Sequence, residues 1–186
     1  HQTLHILLGF LQHIQDLQNS SSSSTRWEAA WALGQLGDTS AVKPLIETLD
    51  DSRRYVREAV VVALGKIGDS RALAPLIEKL SGDNDPNVRA AAVESLAKFD
   101  DPRIVESLIT SISKDDDANV RATAAKTLGR IGDPVATEPL IKTMAGDGDA
   151  NVRAAAAMAL GKIGNLRAVN PAINALADDD ADVRKA

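Results

Sequence analysis

Asn151-Val152-Arg153-Ala154-Ala155-Ala156-Ala157-Met158-Ala159-Leu160-Gly161-Lys162-Ile163-Gly164 is the stretch on which the reading of this chain turns. It recurs. Asn119-Val120-Arg121 opens a copy ending Leu128-Gly129-Arg130-Ile131-Gly132-Asp133, and Tyr55-Val56-Arg57 opens one ending Leu64-Gly65-Lys66-Ile67-Gly68-Asp69. Asn87-Val88-Arg89 opens a third, ending Leu96-Ala97-Lys98-Phe99-Asp100-Asp101. Thr25-Arg26 begins a looser copy, and Asp182-Val183-Arg184 begins one that the sequence does not finish. The marker arginines Arg26, Arg57, Arg89, Arg121, Arg153 and Arg184 stand 31 or 32 residues apart. Self-similarity at that period marks an array of stacked units, each touching its neighbours.

Every unit carries two helical patterns. The first is short and has a proline in its opening turn, as in Pro44-Leu45-Ile46, Pro75-Leu76-Ile77 and Pro139-Leu140-Ile141, where the missing N–H costs nothing. An Asp-rich turn follows, then the longer Val-Arg helix. Val56, Val60, Leu64 and Ile67 share one face of it, as do Val152, Ala156, Leu160 and Ile163. Small neighbours such as Ala63, Ala91, Ala124 and Ala155 allow close helix approach. Gly37, Gly68, Gly132 and Gly164 sit where a left-handed C-terminal cap belongs. The expectation is an all-α protein, an α-solenoid of stacked antiparallel helix pairs. Residues 1–24 would form a capping helix and Ser-rich loop, with Ser24 or Thr25 as the next N-cap, and residues 25–186 about five repeats, the last incomplete. In the capping helix Leu4, Leu7, Leu8, Leu11 and Ile14 form one apolar stripe, and Ile6, Phe10 and Leu17 a second. The middle unit departs from the pattern at Ala97, Phe99, Asp100 and Ser107. Either the array loosens there, or Asp100 caps through its side chain.

Composition narrows the function. Apolar residues make up 44% but aromatics only 3%, so the core is aliphatic. A net charge of −5 argues against charge-driven binding to nucleic acid or anionic membrane. No apolar run reaches the roughly 20 residues that span a bilayer. The chain contains no cysteine, which suits a reducing compartment such as the cytoplasm. The sequence opens on His1 and stops inside a repeat helix, the look of a piece of a longer array.

These residues resemble HEAT repeats, in particular the short subtype named after the phycobilisome lyases. The motifs that carry the resemblance are Val-Arg-x-x-Ala-x-x-x-Leu-Gly-x-Ile-Gly-Asp and Pro-Leu-Ile, and they cover residues 25–186. The resemblance implies that the Val-Arg helices line a concave side. It also implies that Asp and Arg side chains form a hydrogen-bonded ladder between neighbouring repeats. The candidates are Arg57, Arg89, Arg121 and Arg153 with Asp85, Asp117, Asp149 and Asp180, which stand three residues before each valine and also suit N-capping. Arg53 replaces the aspartate in the first full repeat, which predicts an interruption there.

Chemistry-bearing patterns are absent. His1, His5 and His13 form no credible metal set, and no phosphate loop or nucleophile elbow is visible. One HEAT-like enzyme group, the deoxyhypusine hydroxylases, holds iron with repeated His-Glu pairs, and this sequence has none. No catalytic residue, metal or cofactor is therefore expected. Recognition should lie where copies differ on the exposed positions of the Val-Arg helices. Those positions hold Trp27, Trp31, Arg54, Tyr55, Glu58, Val62, Lys66, Glu94, Lys98, Lys126, Arg130, Met158 and Lys162. Both tryptophans and the one tyrosine fall in adjacent repeats, with Arg54 and Val62 flanking, a hot-spot composition. The alternative is that an indole folds under the first helix as packing. Lys66, Lys98, Arg130 and Lys162 form a basic row that compensates helix dipoles or meets an acidic partner. The expected function is a non-enzymatic scaffold for a protein or peptide. The alternatives are a phycobilin lyase or chromophore-handling subunit, on resemblance alone, and self-association through exposed solenoid ends.

Overall fold

The computed structural model describes residues 2–186, with side chains from Leu7 onward; His1 and the side chains of Leu4, His5 and Ile6 lie outside the described residues. The described residues form helices and turns without strands, an all-α solenoid of helix pairs. The chain divides into two compact units, His1–Phe99 and Asp100–Ala186.

Unit 1 contains α1 (Gln2–Asn19), α2 (Ser23–Leu36), α3 (Val42–Glu47), α4 (Arg54–Ile67), α5 (Leu73–Gly82) and α6 (Pro86–Leu96). Within it α2 packs on α1 and α4, and α4 on α3 and α6. Leu33, Leu45, Leu64, Leu76 and Leu96 are fully buried, each contributing about 1.5–3 kcal/mol of transfer free energy. The apolar stripes of α1 part company: Leu17 is buried, whereas Leu7, Leu8 and Leu11 are exposed. Helix α2 begins two or three residues earlier than its Ser-rich run suggests. Ser22 is the N-cap, its side chain accepting from the Thr25 N–H at 3.3 Å. In a run of serines every hydroxyl offers the same cap chemistry, so position is set by packing.

Unit 2 contains α7 (Pro102–Lys114), α8 (Ala118–Ile131), α9 (Thr137–Gly146), α10 (Ala150–Ile163), α11 (Val169–Ala175) and α12 (Ala181–Lys185). Within it α10 packs on α8, α9 and α12. Leu108, Leu128 and Leu140 are fully buried.

The helix ends follow the sequence closely. Gly37, Gly68, Gly132 and Gly164 take φ of 69°, 71°, 77° and 67°, and each cap N–H returns to a leucine carbonyl. Asp85, Asp117, Asp149 and Asp180 cap the following Val-Arg helices through their carboxylates. At α4 the N-cap is Arg53, which makes no side-chain cap bond.

The middle repeat ends its helix without the side-chain cap from Asp100 that the sequence offered. Helix α6 stops after 11 residues, against 14 in α4, and Ala97 stays right-handed. No non-glycine residue among those described has positive φ. Asp101, rather than Asp100, caps the next helix by accepting from the Arg103 N–H at 2.9 Å. A carboxylate followed by Pro102 starts α7 directly, so the short 3-10 turn seen before α3, α5, α9 and α11 is absorbed into it.

A second set of glycines sets helix separation. A methyl group added at Gly34 would lie 2.8 Å from the Ala63 Cα, and one at Gly65 would lie 2.5 Å from the Ser95 Cβ. In unit 2 one at Gly129 would lie 2.6 Å from the Ala159 Cα. These helices touch backbone to backbone. The Ser95 hydroxyl can therefore donate to the Val61 carbonyl at 3.1 Å.

Candidate functional site

The tight contact of Gly34 with Ala63 leaves no space for an indole between α2 and α4. The buried side of α2 is Ala29, Ala30, Leu33 and Gly34. Trp27 and Trp31, one turn apart, are instead 40% and 54% exposed, so neither is sealed as cap packing. Tyr55, at the start of α4, is 40% exposed, and its hydroxyl donates to Ser23 Oγ on α2, which fixes the ring across the two helices. Together Trp27, Trp31, Tyr55, Glu58, Ala59, Val62, Ala63 and Lys66 line a cleft of about 220 Å³. Ala59 and Ala63 were not anticipated as lining residues; their smallness makes the floor. Among the described residues neither Glu58 nor Lys66 is paired with an opposite charge.

Other anticipated positions lie apart from this cleft. Arg54 is exposed, with its Nε 3.6 Å from Asp85 Oδ2, and does not line the cleft. Glu94 and Lys98 are exposed elsewhere on unit 1. In unit 2, Lys126, Arg130, Met158 and Lys162 are exposed, with Arg130 Nη2 donating to Thr127 Oγ1 at 3.0 Å. The unit 2 positions in register with Glu58 are Ala122 and Ala154, both buried. A different cleft of about 390 Å³ in unit 2 is lined by Leu160, Leu166, Val169, Leu176 and Val183 among others.

The arginine ladder exists, but with a different aspartate from the one expected. Arg26 reaches Asp51 through Nε at 2.6 Å and Nη2 at 3.0 Å, and Arg57 reaches Asp83 at 2.8 and 2.9 Å. In unit 2, Arg121 reaches Asp147 at 2.8 and 2.9 Å, and Arg153 reaches Asp178 at 2.9 Å twice. The partners stand five residues before each valine, not three. The same arginines donate Nη1 to a backbone carbonyl of their own repeat, as Arg57 does to Asp51 at 2.9 Å. Each therefore joins its own turn to the next. The predicted interruption at Arg53 does not occur, because Asp51 is present and only the cap is lost. The unbroken recurrence of Asp51, Asp83, Asp115, Asp147 and Asp178 was the signal available in the sequence.

These carboxylates titrate low. Burial pushes Asp83 up, but hydrogen bonds from Arg57 and the Asp85 N–H, with the charges of Arg57 and Lys79, hold it below the usual range. Asp51 and Asp147 show the same balance. At Asp178 the Arg153 hydrogen bond and then the Asp180 N–H bring the carboxyl to about 2. The arginines are correspondingly held as cations, so the pairs are framework rather than proton-transfer groups.

Comparison with known proteins agrees with this architecture. The family model described as HEAT repeats matches residues 11–81, 73–147 and 136–186. No curated protein matches the sequence. Among solved structures, the complex of CpcE and CpcF of phycocyanin lyase from Nostoc sp. is similar at 26% identity and a TM-score of 0.67, covering 82% of this chain and 98% of that one. The E. coli protein YibA is similar at 25% identity and a TM-score of 0.69, covering 93% of this chain and 66% of that one. Human deoxyhypusine hydroxylase shares the fold at 20% identity and a TM-score of 0.54, covering 95% of this chain and 81% of that one. The chain belongs to the HEAT-repeat family.

Proposed function

We propose that this chain is a non-enzymatic, cytoplasmic interaction scaffold that holds a protein or peptide on the Val-Arg helices of unit 1. Trp27, Trp31, Tyr55 and Val62 form the anchor, and Arg54, next to Tyr55 in the chain but outside the cleft, adds a further contact. Glu94 and Lys98 of unit 1 supply secondary contacts, and Lys126, Arg130, Met158 and Lys162 form a separate set of candidate contact positions on unit 2. Residues 1–24 act as a cap on the repeats. The observation that carries the reading is the half-exposed aromatic trio around a cleft of about 220 Å³. Large aromatics left in water gain most when a partner covers them, and such anchors commonly contribute about 2 kcal/mol or more each. Partner affinity should therefore fall in the Trp27→Ala/Trp31→Ala double variant while circular dichroism stays unchanged. A partner identified with the wild-type chain and bound equally well by the double variant overturns the proposal.

A chromophore-handling subunit is the second reading, favoured by the 26% identity to the CpcE–CpcF structure over 98% of that chain. The unit 1 cleft is smaller than the about 300–1,000 Å³ usual for small-molecule sites. Visible absorbance after mixing with a bilin decides between the two. Self-association is a third element of the proposal, through Leu7, Leu8 and Leu11 on α1 and Leu166, Val169, Ile173 and Leu176 at the end of unit 2, all exposed. It predicts a solution mass above 19.6 kDa.

A further inference from the structure

Tyr55, Glu58, Ala59, Val62 and Lys66 follow one another along a single face of α4, at helical spacing i, i+3, i+4, i+7 and i+11. The face is chemically graded. Repeat register sets Trp27 opposite Glu58, so one end of the cleft combines aromatic rings with a carboxylate. The middle, Trp31 with Val62, is apolar. The far end is the lone ammonium of Lys66. Glu58 and Lys66 have no partners among the described residues, so both charges are available to a ligand. Aromatic faces beside a carboxylate attract a cation, both through the ring quadrupole and through charge. The chain's net charge of −5 adds to this attraction. A cleft of about 220 Å³ suits a few side chains of a peptide rather than a cofactor.

Glu58 and Lys66 are eight residues apart, about 12 Å along a helix axis at 1.5 Å per residue. An extended peptide covers that distance in about four residues at 3.3 Å each. We infer that the cleft selects an extended peptide with a basic side chain at one position, an aliphatic one in the middle, and an acidic side chain about four residues from the basic one. The inference rests on the reading of this cleft as a peptide site.

The chain has only two tryptophans, so a ¹⁵N spectrum of the full chain shows two indole N–H signals that report on the cleft directly. The probes are three capped peptides: Arg-Ala-Leu-Ala-Glu, the same with Gln for Arg, and the same with Gln for Glu. The parent peptide should shift both indole signals to saturation. Replacing its Arg should weaken binding about tenfold, and replacing its Glu about threefold, as expected for partly exposed cation–π and ion-pair contacts. In the Glu58→Gln variant the Arg-to-Gln difference should shrink to about threefold or less. Equal binding of all three peptides by the wild-type chain overturns the charge selection while leaving a peptide cleft in place. Indole signals that no peptide moves overturn both the selection and the peptide-site reading.

Discussion

In unit 1, α4 follows α2 with Ala63 against Gly34 and Arg26 held by Asp51. In unit 2, α10 follows α8 with Ala159 against Gly129 and Arg121 held by Asp147. Exchanging these contacts between the units would change little. The exposed positions of the same helices are another matter. Unit 1 places Trp27, Trp31, Tyr55 and Val62 around a cleft, whereas unit 2 places Ala122 and Ala154, both buried, and the exposed Lys126 and Met158 at the equivalent sites. Residues that repeat hold the helices together, and residues that break the repeat are free to recognise something. A contact that every copy needs cannot vary, while a position that faces solvent can.

The largest effect should come from the shared framework, and it should be alike in both units. Asp83→Ala leaves Arg57 charged and without its bidentate partner in a largely buried setting, as Asp147→Ala does for Arg121. Removing one member of such a pair costs about 3–5 kcal/mol, which urea unfolding will measure. A loss in one unit only would break the equivalence.

Glycine substitutions give the next largest contrast, this time within unit 2. Gly129→Ala drives a methyl to 2.6 Å from the Ala159 backbone and should cost about 1–3 kcal/mol in thermal unfolding. Gly161→Ala, at the same repeat position in α10, meets nothing within 4 Å and should be neutral or stabilising by up to about 1 kcal/mol.

Capping distinguishes the units more mildly. Asp149→Ala removes a carboxylate that accepts from two N–H groups of α10 and should cost about 1 kcal/mol. Arg53→Asp supplies the cap that α4 lacks and should gain about 0.5 kcal/mol by chemical denaturation.

Acid should expose the carboxylate framework more gently. The Asp178 carboxyl titrates at about 2 when folded and near 3.9 in an unfolded chain. Because the folded value is the lower one, its contribution is complete above pH of about 4 and fades as pH falls toward about 2. Thermal midpoints over that window should fall less steeply in Asp178→Asn than in the wild type.

The sequence made some of this plain and hid the rest for identifiable reasons. Period, helix faces and the left-handed glycines were readable because each depends on local spacing alone. The partner of each arginine was not, because Asp83 and Asp85 are two residues apart and equally suited to a guanidinium. Only the persistence of Asp51 beside Arg53 separates the two registers. Gly34, Gly65 and Gly129 carry no local signal of close contact, since what they avoid is an atom of the next repeat. The aromatic trio could be assigned to one surface by register. Whether the rings were covered depended on how closely α2 and α4 approach, a property that Gly34 and Ala63 decide together.

The most direct test pairs two double variants against one identified partner, with helicity recorded alongside affinity. Trp27→Ala/Trp31→Ala should weaken binding by at least about 30-fold, the equivalent of about 2 kcal/mol, with circular dichroism unchanged. Lys126→Ala/Met158→Ala should leave affinity within about twofold and stability within about 0.5 kcal/mol. Equal losses from both variants, or undiminished binding without the two indoles, would contradict the account.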